Sequence, residues 1–124
     1  MAHILVTDDS NFLRRRAIAI LKEAGHDISE AADGKECLER IASQQPDLLF
    51  LDLVMPELDG FGVLRELKAQ GNPLPVIILS ADIQQGVKQE CLELGAAAFL
   101  HKPPLQADVC EILDTIFPST GAHS

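Results

Sequence analysis

The sequence predicts an α/β fold, with one parallel sheet of five strands wound on both faces by helices. Three observations predict it. Five short runs are rich in Ile, Val, Leu and Phe, longer segments between them repeat apolar residues at helical spacing, and the two kinds alternate along the chain without an internal repeat. Crossovers that join successive parallel strands are right-handed, so this βαβαβαβαβα order closes into one doubly wound layer.

The strand runs are His3–Thr7, Asp27–Ala31, Leu48–Leu51, Val76–Leu79 and Ala97–Leu100. Four are nearly continuous apolar stretches, the signature of strands covered on both faces. Asp27–Ala31 is more polar and suits a sheet edge. The first helix starts after Ser10 as N-cap, carries an apolar stripe of Leu13, Ala17, Ile20, Leu21 and Ala24, and stops at Gly25. The second runs from about Gly34 to Gln44, turns Cys37, Leu38 and Ile41 inward, and meets Pro46 past its end. The third carries Phe61, Leu64 and Leu67 and stops at Gly71. The fourth carries Val87, Cys91 and Leu94 and stops at Gly95. The fifth carries Val109, Ile112, Leu113 and Ile116, and Pro118 begins a short polar tail, 118–124, read as disordered.

Composition narrows the function. A chain of 124 residues, 47% hydrophobic, holds one domain with a real core and needs no disulfide or metal staple. A net charge of −9 argues against direct binding of nucleic acid or an anionic membrane. No apolar run reaches the roughly 18 residues of a membrane span, and no secretory signal opens the chain, so a cytoplasmic location is expected. Cys37, Cys91 and Cys110 are dispersed and read as small core residues in a reducing compartment; the histidines lack metal-ligand spacing.

In doubly wound sheets the chemistry gathers at the carboxyl ends of the strands. There the first strand delivers Asp8-Asp9, the third Asp52, the fourth Ser80-Ala81 and the fifth His101-Lys102-Pro103. Three carboxylates in one cleft repel one another unless a cation joins them. Mg²⁺ prefers oxygen ligands, keeps several waters and pairs with phosphate. With that ion and Lys102 the three carboxylates make a neutral site, able to receive a phosphoryl group.

These residues, in this order, resemble the bacterial response-regulator receiver domain, the CheY-like phosphoacceptor fold of strand order 2-1-3-4-5. The resemblance rests on Asp8-Asp9, on Asp52 followed by Leu53-Val54-Met55-Pro56, on Asp59-Gly60, Ser80-Ala81 and Lys102-Pro103, and spans residues 3–117. It implies a receiver domain over 1–117. Asp52 is then the phosphoacceptor. Asp9, Asp52 and the Val54 backbone carbonyl ligate Mg²⁺ (Mn²⁺ as substitute), with Asp8 acting mostly through a metal-bound water. Lys102 and Ser80 serve the phosphoryl oxygens, and the Lys102–Pro103 peptide is cis. Ser80 and Phe99 form a switch that reshapes the face made by the fourth helix, fifth strand and fifth helix. The implied partners are a sensor histidine kinase or a histidine phosphotransfer domain, and a downstream protein target that the sequence does not name. The protein is then a monomer or a phosphorylation-dependent dimer, with self-phosphorylation and self-dephosphorylation activity.

Several positions depart from the family pattern. Ser80 stands where threonine is commoner, Phe99 where tyrosine is frequent, and Pro104 where an apolar residue is usual. Val54 and Asp82 lie two residues beyond Asp52 and Ser80, within reach of an attacking water. An apolar Val54 cannot orient that water, so slow self-dephosphorylation is expected. Arg14-Arg15-Arg16 reads as a solvated basic run, with kinase docking as a second reading. Two other functions compete. A haloacid-dehalogenase-type phosphohydrolase also uses an aspartate and Mg²⁺, but needs an aspartate where Val54 stands. A degenerate receiver acting as a pure binding module would lack the intact Asp9, Asp52 and Lys102. No output domain follows residue 117, which fits a stand-alone receiver or a piece of a longer regulator.

Overall fold

The computed structural model describes residues 2–81 and 84–117. Five strands alternate with five helices: β1 (His3–Thr7), α1 (Asn11–Glu23), β2 (Asp27–Ala31), α2 (Gly34–Ser43), β3 (Leu48–Asp52), α3 (Gly60–Ala69), β4 (Val76–Ser80), α4 (Gln85–Glu93), β5 (Ala98–His101) and α5 (Gln106–Ile116). All pairings are parallel and the order is β2-β1-β3-β4-β5, as expected. The polar second strand is indeed an edge.

Side chains alternate across each strand, so neighbouring residues feed two separate cores. Leu49 and Leu51 of β3 and Ile78 of β4 pack with Cys37, Val63 and Leu64 from the side of α2, α3 and α4. Leu48 and Phe50 of β3 and Ile77 of β4 pack with Ala17, Leu21 and Val109 from the side of α1 and α5. Every residue of β3 and β4 is buried. Side chains cap the first three helices at their N-termini: Ser10 accepts from Leu13, Asp33 from Glu36 and Asp59 from Gly62.

The structure moves some sequence boundaries. β3 and β4 each run one residue beyond their apolar stretch, and β5 both starts and ends one residue later than expected. The ladder is a backbone interaction: Asp52 stands opposite Leu79, and Ser80 opposite His101. Polar side chains can therefore end a strand without ending its pairing. Ala24 is exposed, because the first helix stops at Glu23 and Ala24 serves as its C-cap. Cys37 and Cys91 are buried and Cys110 is half-buried, all as free thiols. The tail 118–124 and Asp82 lie outside the described residues.

A candidate phosphoacceptor and cation site

The strand order dictates the site. β1 and β4 flank β3, and β5 lies beside β4, so residues just past β1 and β5 converge on the last residues of β3 and β4. Asp8 and Asp52 are almost fully buried, Ser80 is buried, and Asp9 is exposed. Lys102 enters from the β5 side. Its backbone N–H donates to the Ser80 carbonyl at 2.9 Å, which fixes the start of its side chain. The Lys102–Pro103 peptide is cis.

The Lys102 Nζ lies 2.8 Å from Asp8 Oδ2 and 2.9 Å from Asp52 Oδ1, and its side chain is only 10% exposed. One ammonium thus bridges two buried carboxylates. Asp8 Oδ1 accepts the Ser10 N–H at 2.9 Å. One carboxylate oxygen each of Asp8, Asp9 and Asp52 lies within 4.8 Å of the others. This all-oxygen donor set, part buried and part open to water, fits a hard divalent cation.

The electrostatics follow from that crowding. Burial, aided by the negative charges of Asp8 and Asp9, pushes the Asp52 carboxyl from 3.8 up to about 6 against the pull of Lys102. Burial also disfavours the Lys102 ammonium, but its hydrogen bonds to Asp8 and Asp52 outweigh this and raise its pKa above the ordinary lysine value. The carboxylates therefore hold more negative charge than one ammonium satisfies.

The loop from Asp52 to α3 is pressed against the strand end. Gly60 donates its N–H to the Leu53 carbonyl at 2.9 Å, and a Cβ at Gly60 would stand 2.5 Å from the Asp52 carbonyl oxygen. Only glycine allows α3 to begin so close to the acidic end of β3. Val54, within this loop, turns its side chain to solvent and is 79% exposed. A cavity of about 230 Å³ lies beside Ser80, bounded by Leu53, Met55, Phe61 and Val87.

Of the residues singled out from sequence, Asp8, Asp9, Asp52 and Lys102 meet in one cleft, with Ser80 on the adjoining strand end. Phe99 does not enter it. Its ring is half-buried against the core on the α2–α4 side, and its register partner Ile78 lies on the same face of β4 as Ser80. Arg14 differs from expectation. It is not solvated: its side chain is 11% exposed, and it donates to the Asp8 backbone carbonyl at 2.6 Å and to Glu30 at 2.7 Å. A basic triplet on a helix gives no hint of this. The one available signal is that Arg14 lies one turn after the Ser10 cap, above the acidic pair. Arg16 is also engaged, donating to the Pro104 carbonyl at 3.2 Å.

The family profile described as response regulator receiver domain matches residues 4–114. The chain belongs to that family. This receiver is 37% identical over 123 residues to the response regulator MprA of Mycolicibacterium vanbaalenii, covering 96% of this chain and 53% of that protein. It spans about half the length of the curated relatives it matches. The receiver domain of Francisella response regulator 1452 superposes with a TM-score of 0.88 at 33% identity, covering 94% of this chain and 96% of that one. The receiver domain of sensor histidine kinase PA1611 from Pseudomonas aeruginosa PAO1 superposes with a TM-score of 0.86 at 31% identity, covering 95% and 98%; that structure carries a magnesium ion coordinated in its active site cleft. The receiver fold is thus that of a two-component response regulator, and family membership displaces the phosphohydrolase alternative. Among the described residues no helix is long and apolar enough to cross a membrane.

Proposed function

We propose that this receiver accepts a phosphoryl group on Asp52 from a phosphohistidine of a sensor histidine kinase or histidine phosphotransfer domain. The observation that carries the reading is the Lys102 ammonium, held within 3 Å of both Asp8 and Asp52 in a cleft where three carboxylates offer a cation ligands. In the transfer, an Asp52 carboxylate oxygen forms a bond to phosphorus as the phosphorus–nitrogen bond breaks, and the imidazole leaves. Transfer of this kind needs alignment and charge neutralisation more than covalent assistance.

Asp9, Asp52 and the Val54 backbone carbonyl would hold Mg²⁺, with Asp8 acting through bound water; Mn²⁺, equally an oxygen-seeking ion, would substitute. When bound, the ion supplies positive charge that draws the phosphoryl oxygens towards the carboxylate. The chain's own groups do the rest. Lys102 neutralises Asp52 before transfer and moves its hydrogen bond to a phosphoryl oxygen afterwards. The Ser80 hydroxyl donates to another. To make that bond Ser80 would be drawn towards the phosphoryl group, which would shift the half-buried Phe99 and alter the α4–β5–α5 face, a change of population between two states.

The domain comprises residues 1–117 and works in the cytoplasm as a monomer, or as a dimer once phosphorylated. Phe12, Val54 and Leu105 are exposed apolar residues within three positions of Asp9, Asp52 and Lys102 respectively. They offer the kinase or phosphotransfer partner a greasy rim around the acidic cleft, next to Arg15 on α1. The downstream target is a protein that reads the altered face.

Incubation with acetyl phosphate and Mg²⁺, followed by intact-mass measurement, tests the reading. One added phosphate is expected, lost in Asp52→Asn and blocked by chelation. Unmodified wild-type protein would favour the pure binding module instead.

A further inference from the structure

We infer that Arg14 is a positioning residue for the cation site: it fixes the peptide that joins Asp8 to Asp9. This inference rests on the reading of those carboxylates as a Mg²⁺ site. The Asp8 carbonyl, which is the oxygen of that peptide, accepts from Arg14 Nη1 at 2.6 Å, while the preceding peptide is anchored to β2 by the Asp8 N–H, which donates to the Ala31 carbonyl at 3.2 Å. The Arg14 fork is itself pinned, through Nε to Glu30 at 2.7 Å and through Nη2 to Asn11. Its side chain is 11% exposed, while that of Glu30 is 53% exposed, so the pair closes the flank of the turn rather than lying free in solvent.

The geometry has a direct consequence for the ligands. Asp8 is locked in place through Ser10 and Lys102. Asp9 is exposed, and no comparable hydrogen bond to its carboxylate exists among the described residues. The direction of the Asp9 side chain is therefore set by the backbone plane before it, and Arg14 holds that plane. Outer partners of metal ligands commonly change metal affinity by 10-fold or more.

The sign of the effect separates positioning from charge. Arg14 is a cation close to a cation site. By charge alone, Arg14→Gln would tighten Mg²⁺ binding, since it removes repulsion. Positioning demands the opposite. Arg15 is the matched control: it lies next in sequence, carries the same charge, and is exposed.

The test is an amide NMR titration with MgCl₂ of wild type, Arg14→Gln, Arg15→Gln and Asn11→Ala, alongside urea unfolding of each in chelator. Arg14→Gln is expected to weaken Mg²⁺ binding about tenfold, whereas Arg15→Gln binds at least as tightly as wild type. Asn11→Ala, which loosens the fork without changing any charge, is expected to weaken binding by a smaller factor, and it carries the test if Arg14→Gln does not fold. Unchanged or tighter binding in the folded Arg14→Gln, or in Asn11→Ala when that variant stands in, overturns the inference; lower metal-free stability alone then marks Arg14 as merely structural. A wild-type protein that shows no saturable response to Mg²⁺ refutes the site itself, a different failure.

Discussion

Asp52→Asn removes a carboxyl group that burial and two neighbouring aspartates hold at a pKa of about 6 instead of 3.8. In metal-free protein this makes the site a source of instability at neutral pH. A carboxyl group whose folded pKa is raised binds its proton more tightly in the native state. It favours folding below the unfolded pKa and loses that contribution as pH rises through the folded value. Here the window is from about pH 4 to about pH 6. Two pKa units at about 1.4 kcal/mol each give roughly 3 kcal/mol of stability lost across that window. Asparagine keeps the shape and does not titrate. The stability difference between Asp52→Asn and wild type should therefore grow by about 3 kcal/mol between pH 4 and pH 7.5 in chelator. Urea unfolding followed by far-UV circular dichroism measures it, since the chain has no Trp or Tyr for fluorescence. Added Mg²⁺ should stabilise wild type selectively and shrink the difference. Stability profiles that stay parallel from pH 4 to pH 7.5 would refute this reasoning, because the Asp52 proton would then be held no more tightly folded than unfolded.

Lys102→Ala leaves the buried Asp8 and Asp52 facing each other without a counter-charge, and should destabilise the metal-free protein at neutral pH by about 3–5 kcal/mol in urea unfolding. Gly60→Ala places a methyl group 2.5 Å from the Asp52 carbonyl oxygen and 2.8 Å from the Leu53 Cα; a loss of about 1–3 kcal/mol is expected, with weaker Mg²⁺ binding because the end of β3 must move. Val54→Asn puts a polar group on an exposed side chain two residues from Asp52, where it can orient water. The aspartyl phosphate lifetime, followed by mass over time, should shorten by about tenfold or more.

Much of this was legible in the sequence because it depends on local pattern. Apolar runs such as Leu48–Leu51 and Val76–Leu79 mark central strands, and the polar run Asp27–Ala31 marks an edge. The cluster was legible because a parallel sheet sends every strand end to one side, so Asp8, Asp9, Asp52, Ser80 and Lys102 needed only to follow successive strands. What escaped depends on contacts across the chain. Gly60 was named from sequence as part of the family pattern, but the reason for it, the close backbone of Asp52 and Leu53, is not revealed by its own neighbours. Arg14 looked like one of three equivalent arginines until Asp8, Glu30 and Asn11 were seen to converge on it. The extra residue on β3 and β4 reflects ladder pairing, to which side-chain polarity is indifferent.

The most direct measurement is chemical mapping of the modified residue. Acetyl phosphate with Mg²⁺ loads the protein, borohydride reduces the resulting acyl phosphate to an alcohol, and peptide sequencing by mass spectrometry finds the altered position. Homoserine in place of Asp52, with Asp8 and Asp9 intact, is the expected result. Reduction at Asp8 or Asp9, or none at Asp52 in a protein that has gained phosphate, would contradict the assignment of the phosphoacceptor.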